Sequence, residues 1–73
     1  MTPEYQARVK KQWEGYAKEE IELEVIGGTF YAFCSELAAL RLYYTYRYIP
    51  GDKTKVAYSD NQGTWFFCME TDF

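Results

Sequence analysis

The sequence contains no histidine, and that gap removes several chemistries at once. Without imidazole, no side chain titrates near neutrality by default, and zinc loses its commonest nitrogen ligand. Cysteine is almost as scarce. Cys34 and Cys68 stand alone, not in the close pairs of a structural zinc site, and supply one disulfide at most. Long hydrophobic runs are absent too. No stretch nears the roughly 18 apolar residues of a membrane helix, and the start MTPEYQARVKK has no secretory h-region. A dominant basic charge is also lacking: eight Lys and Arg against eleven Asp and Glu leave a net charge of −3. Strong nucleic-acid binders carry the opposite balance.

What the chain has is aromatic mass. Eight Tyr, five Phe and two Trp make up 21% of its 73 residues. The length predicts a single domain over residues 1–73, and a chain this short buries only about 60% of its unfolded surface. Each buried ring removes roughly 150–250 Å² from water, so the rings compensate for the small core. Two reduced, buried thiols fit a cytoplasmic protein; a single disulfide is the alternative. Charge is blocked along the chain. Glu19, Glu20, Glu22, Glu24 and Glu36 form an acidic segment, between a basic start and a basic stretch holding Arg41, Arg47, Lys53 and Lys55.

The pattern predicts an α+β fold in the order α-β-β-α-β-β, with an antiparallel sheet packed by helices. Thr2, Pro3 and Glu4 read as cap, first position and first-turn acid of a helix with Tyr5, Val9, Trp13 and Tyr16 as its stripe. Gly15 weakens that helix near its end. Ile21, Leu23 and Val25 alternate with Glu22 and Glu24, and Gly27-Gly28 suits a two-residue primed turn. That turn sets Val25 opposite Phe30, Leu23 opposite Ala32 and Ile21 opposite Cys34 on one face. Glu24 then meets Tyr31, and Glu22 meets Phe33, on the other.

Ser35 and Glu36 read as the cap and start of a second helix, with Leu37, Leu40, Tyr44 and Tyr48 along one side. Its other side, Ala38, Ala39, Leu42, Tyr43 and Tyr46, is apolar as well. A helix ending at Pro50-Gly51-Asp52 is favoured over a strand across 43–49, although the β propensity of YYTYRYI supports the latter. Val56–Ser59 and Thr64–Met69 close the chain as a hairpin about Asp60-Asn61-Gln62-Gly63. TWFFCM is apolar on both faces. One face must therefore be covered by the first helix or by another molecule.

No catalytic constellation emerges. Cys34 lies just before a helix start, yet its activation would need a lysine, a helix dipole or a depressed pKa. Glu22 and Glu24 project from one strand face, a geometry suited to acid–base work or a hard cation, but also to a solvated strand. Gly27-Gly28 joins two strands and lacks the spacing of a phosphate loop. Tyr43, Tyr44, Tyr46 and Tyr48 interleave with Arg41 and Arg47, as in single-strand binders, so segment 41–48 is the alternative site. The leading expectation is a non-enzymatic protein-binding module without metal or cofactor. Its contacts are Glu19, Glu20, Glu22, Glu24 and Tyr31.

The segment GGTFYAFCSELAALRLYYTYRY, set between a hairpin and a closing strand pair in a small acidic chain, resembles the orphan proteins of phages and mobile elements. Within that class it is similar in size and style to anti-CRISPR proteins. The resemblance implies a strand–strand–helix core, no enzymatic activity, and inhibition by steric block or partial nucleic-acid mimicry. It implies a protein or ribonucleoprotein target such as a type I CRISPR surveillance complex, in the cytoplasm of a bacterial host. Direct nucleic-acid or membrane binding is not expected, and monomer and homodimer are both open. A net charge of −3 departs from the dense carboxylates of full DNA mimics.

Overall fold

Thr2 starts the first helix, α1 (Pro3–Ala17), as the sequence predicts: its hydroxyl oxygen accepts the Tyr5 N–H at 3.2 Å. The computed structural model describes residues 2–47, 55–60 and 62–70. Gly15 does not end α1. The helix runs two residues further because Ala17 is fully buried, and Lys18 closes it at φ 60°, its N–H donating to the Glu14 carbonyl at 2.8 Å. The buried stripe is Val9, Trp13 and Ala17, whereas Tyr5 and Tyr16 sit at its margins.

Strands β1 (Glu22–Ile26) and β2 (Thr29–Cys34) form the expected hairpin. Gly27 and Gly28 both take positive φ, 57° and 79°, which a primed turn requires and glycine adopts without steric cost. The register is the one that turn dictates: Val25 faces Phe30, Leu23 faces Ala32, Glu24 faces Tyr31 and Glu22 faces Phe33. At the edge of β1, Gln6 donates to the Leu23 carbonyl at 3.1 Å, and Glu14 accepts the Ile21 N–H at 3.1 Å. Side chains of α1 thus occupy part of an edge that would otherwise invite a foreign strand.

Helix α2 (Glu36–Tyr46) is capped by Ser35, whose hydroxyl accepts the Ala38 N–H at 3.1 Å. Residues 43–46 are helical; Tyr48, Ile49 and the predicted stop Pro50-Gly51-Asp52 lie outside the described residues. The sequence shows two apolar sides, and only one of them meets the sheet. Ala38, Ala39 and Leu42 are fully buried, while Leu37 and Tyr44 are each 55% exposed. Alanines let the helix axis approach the sheet closely, so packing depth outweighs the greater hydrophobicity of leucine.

Strands β3 (Lys55–Ser59) and β4 (Trp65–Glu70) are joined through Asp60, whose carboxylate accepts the N–H groups of Gln62 and Thr64 at 2.7 and 2.9 Å. Asn61 lies outside the described residues. The sheet runs β1-β2-β4-β3, antiparallel throughout. Both helices lie on the same side of it. Trp13 meets Phe30, Phe67 and Tyr46 edge-on or tilted at centroid distances of 5.6, 5.3 and 5.6 Å. Around it close Leu23, Ala32, Ala38, Ala39 and Leu42. Among the described residues no helix is long and apolar enough to cross a membrane.

Candidate functional site: the open face of the sheet

With α1 and α2 on one side, the second face of TWFFCM is not covered by the first helix. Strand alternation places Glu22, Glu24, Tyr31, Phe33, Phe66, Cys68, Val56 and Tyr58 on that open side. Two rows cross all four strands. One reads Glu22–Phe33–Phe66–Tyr58 and the other Glu24–Tyr31–Cys68–Val56. Each begins with a carboxylate on edge strand β1 and continues over apolar or aromatic side chains. Neither row contains a Lys or Arg.

Phe66 is the hub of this floor. Its ring lies 4.0 Å from Tyr58, 5.5 Å from Phe33 and 6.1 Å from Tyr31 between centroids. Tyr31 and Phe33 lie within 18° of parallel at 6.5 Å, the separation expected of same-face neighbours on one strand. These rings shield one another without a covering layer: Phe66 is 9% exposed and Tyr58 is 43% exposed. The cluster is separate from the helix-side core, because β4 carries Phe66 and Phe67 in succession and its pleat sends them to opposite faces.

Of the five residues the sequence singles out, three come together here: Glu22, Glu24 and Tyr31. Glu20 is exposed in the α1–β1 loop. Glu19, in the same loop, turns away toward α2 and accepts the Ser35 hydroxyl at 2.6 Å, bracing the helix cap. Phe66 and Tyr58 belong to the floor as well. Their parity on β3 and β4 was readable, but the pairing of β2 with β4 that sets them beside Tyr31 and Phe33 was not.

The cysteines occupy opposite sides of the sheet, Cys34 toward the helices and Cys68 on the open face, and both are free thiols. A disulfide between them is excluded by that geometry. Burial pushes the Cys34 thiol up to about 11, with the Glu19 carboxylate adding to the effect, and the thiol donates to the Ala32 carbonyl at 3.5 Å. Nucleophilic activation requires the opposite shift. Burial also raises Cys68, against a backbone hydrogen bond with Val56 that favours the thiolate. Among the described residues no three His, Cys, Asp or Glu side chains gather as a metal-binding group.

The Tyr/Arg segment is largely committed to the fold. The Arg41 guanidinium donates to the Ala17 carbonyl at 3.1 Å. Tyr46 stacks on Phe67 at 5.9 Å, and burial, then Tyr16, push its hydroxyl up to about 12 against an opposing hydrogen bond with Trp13. Tyr44 remains at the surface, with the Arg47 guanidinium 4.9 Å from its ring centre. Tyr48 and Lys53 lie outside the described residues, and Lys55 starts β3 in register with Met69, which packs on the helix-side core. No protein-family model, curated protein or solved structure matches the chain.

Proposed function

We propose that this chain is a non-enzymatic binding module that seats its open sheet face on a basic protein surface and blocks it. A phage or mobile-element inhibitor of a CRISPR–Cas or other bacterial defence complex, acting in the host cytoplasm, would work in this way. The observation that supports this reading is the uncovered aromatic floor bordered by Glu22 and Glu24. Rings clustered on an uncovered face, with Tyr58 exposed and Tyr31 and Phe33 half-buried around Phe66, supply the anchors on which interface affinity concentrates. Carboxylates at one margin complement surfaces built to hold nucleic acid, so they steer encounter and exclude acidic partners. Inhibition then follows from occupancy of the cleft, with no bond made or broken.

The test is a titration of the chain against a purified type I surveillance complex, following capture of target double-stranded DNA. Wild type should block capture, and Glu22→Lys with Glu24→Lys should weaken the complex at least tenfold without loss of the circular dichroism spectrum. That loss should shrink as salt rises, because contacts of this kind are screened over about 8 Å at physiological ionic strength. Unchanged affinity in the double variant would remove the acidic margin from the interface. A second reading, nucleic-acid binding through segment 41–48, rests on the exposed Tyr44–Arg47 pair. Anisotropy of a labelled single-stranded oligonucleotide, with Arg47→Ala as the control, decides it.

A further inference from the structure

We infer that the open face selects arginine, and specifically an extended segment with arginines at alternate positions, because each β1 carboxylate stands directly across from a β2 ring. This rests on the reading of that face as a protein-binding surface and names the chemistry of what it binds. Glu24 is paired in register with Tyr31, and Glu22 with Phe33. Side chains paired in this way have Cβ atoms about 4.5–5.5 Å apart. A ring and an anion at that spacing serve the two features of a guanidinium together. Its flat π-face lies on the ring, and its N–H edge, in the same plane, reaches the carboxylate as a fork. An ammonium is a compact, strongly hydrated point charge and cannot make both contacts with one planar group.

The two ring–carboxylate pairs are two residues apart on each strand, so they repeat at about 6.6–6.8 Å. The side chains of an extended partner recur on one face at that same interval. An Arg-x-Arg segment laid along β1 and β2 therefore meets both pairs in step. Charge decides among other occupants. A second copy of this chain placed face to face sets Glu22 and Glu24 either against their own equivalents, which repel them, or, turned about an axis along the strands, over Val56 and Tyr58 of the other copy. There the carboxylates lose water and gain no cationic partner. A nucleic-acid backbone meets the same repulsion. A cationic segment is the occupant that the face attracts.

The probes are three synthetic peptides of equal charge: alternating Arg-Gly, alternating Lys-Gly, and an Arg-Gly-Gly repeat. Each is titrated into the full chain by calorimetry at physiological salt. The Arg-Gly peptide should bind at least fivefold tighter than Lys-Gly and about threefold tighter than Arg-Gly-Gly. Tyr31→Leu with Phe33→Leu should bring Arg-Gly down to the Lys-Gly level, with net charge unchanged. If that variant does not fold, ring-proton shifts of Tyr31 and Phe33 in the native chain replace it, and they should move with Arg-Gly alone. Equal affinity for Arg-Gly and Lys-Gly overturns the inference but leaves the basic-partner reading standing. That reading falls separately, if the Glu22→Lys, Glu24→Lys variant still blocks the surveillance complex. Sedimentation showing a dimer closed by this face, or tighter binding of an oligonucleotide than of Arg-Gly, would also overturn it.

Discussion

Leu23→Ala tests the register on which the whole site depends. Leu23 is 8% exposed, faces the helices, and has fully buried Ala32 as its cross-strand partner. Truncation removes three carbons, which at about 0.8 kcal/mol each for buried methylene-sized groups is a transfer loss of about 2 kcal/mol. Because the partner is only an alanine, no neighbouring side chain across the strand swings in to fill the space. A residual cavity then adds about 1–2 kcal/mol, within the range of about 2–5 kcal/mol for buried Leu→Ala changes. For 73 residues the total stability is about 4–11 kcal/mol at roughly 0.05–0.15 per residue, so the loss is a large share of it. Urea unfolding followed by circular dichroism should show the midpoint falling by about 2–4 M, given a slope near 1–1.5 kcal/mol/M for a domain this small. The neighbouring Glu24→Ala, on the open side, should change stability by no more than about 0.5 kcal/mol. Comparable losses in the two variants, or a larger one at Glu24, would mean that β1 presents its other face to the helices. The acidic margin would then not exist.

Glu14 accepts the Ile21 N–H and lies 3.3 Å from the Lys10 ammonium, and these partners hold its carboxyl below its ordinary value of 4.5. A depressed folded-state pKa gives stability that is present above the unfolded value and lost as pH falls through the folded one. Glu14→Gln keeps the acceptor and removes the charge, so its urea midpoint should drop less than that of wild type between pH 7 and pH 3. Parallel pH profiles would refute this. Cys34, raised to about 11 from 9.0, should alkylate with iodoacetamide about a hundredfold more slowly in the native chain than in urea at pH 8, in proportion to thiolate fraction. Labelling at the rate of a free thiol, located by mass spectrometry, would contradict its burial. Ser35→Ala deletes the α2 cap and the partner of Glu19, and should cost about 0.5–2 kcal/mol, read from the same unfolding curves. A neutral result would mean that the α2 N-terminus is held by other contacts.

Much of the fold is written in short-range chemistry. Thr2 and Ser35 mark helix starts because their hydroxyls satisfy N–H groups the helix leaves unpaired. Gly27-Gly28 fixes the first hairpin because two successive positive-φ residues leave one comfortable register, and that register alone places Glu24 by Tyr31 and Glu22 by Phe33. Half of the open face was thus legible before any tertiary contact was known. The other half was not. Phe66 and Phe67 are chemically identical neighbours, so alternation says they part company without saying which one goes to the core. The same ambiguity hides the inward side of α2, where apolar residues run nearly all round and the small Ala38 and Ala39, not Leu37, meet the sheet.

Both ambiguities are resolved by one long-range event, the docking of α1 and α2 on the same side of a sheet ordered β1-β2-β4-β3. The pairing of β2 with β4 joins strands separated by α2 and β3, so no local spacing encodes it. Once it forms, Trp13 needs Phe30 and Phe67 beneath it, and Phe66 is left with Tyr31, Phe33 and Tyr58 on the uncovered side. The sequence by itself determined which side chains share a face, because backbone periodicity is local. Only the tertiary structure decided which face of β4 and which side of α2 are covered, because there two nearly equal apolar surfaces compete for the same contacts.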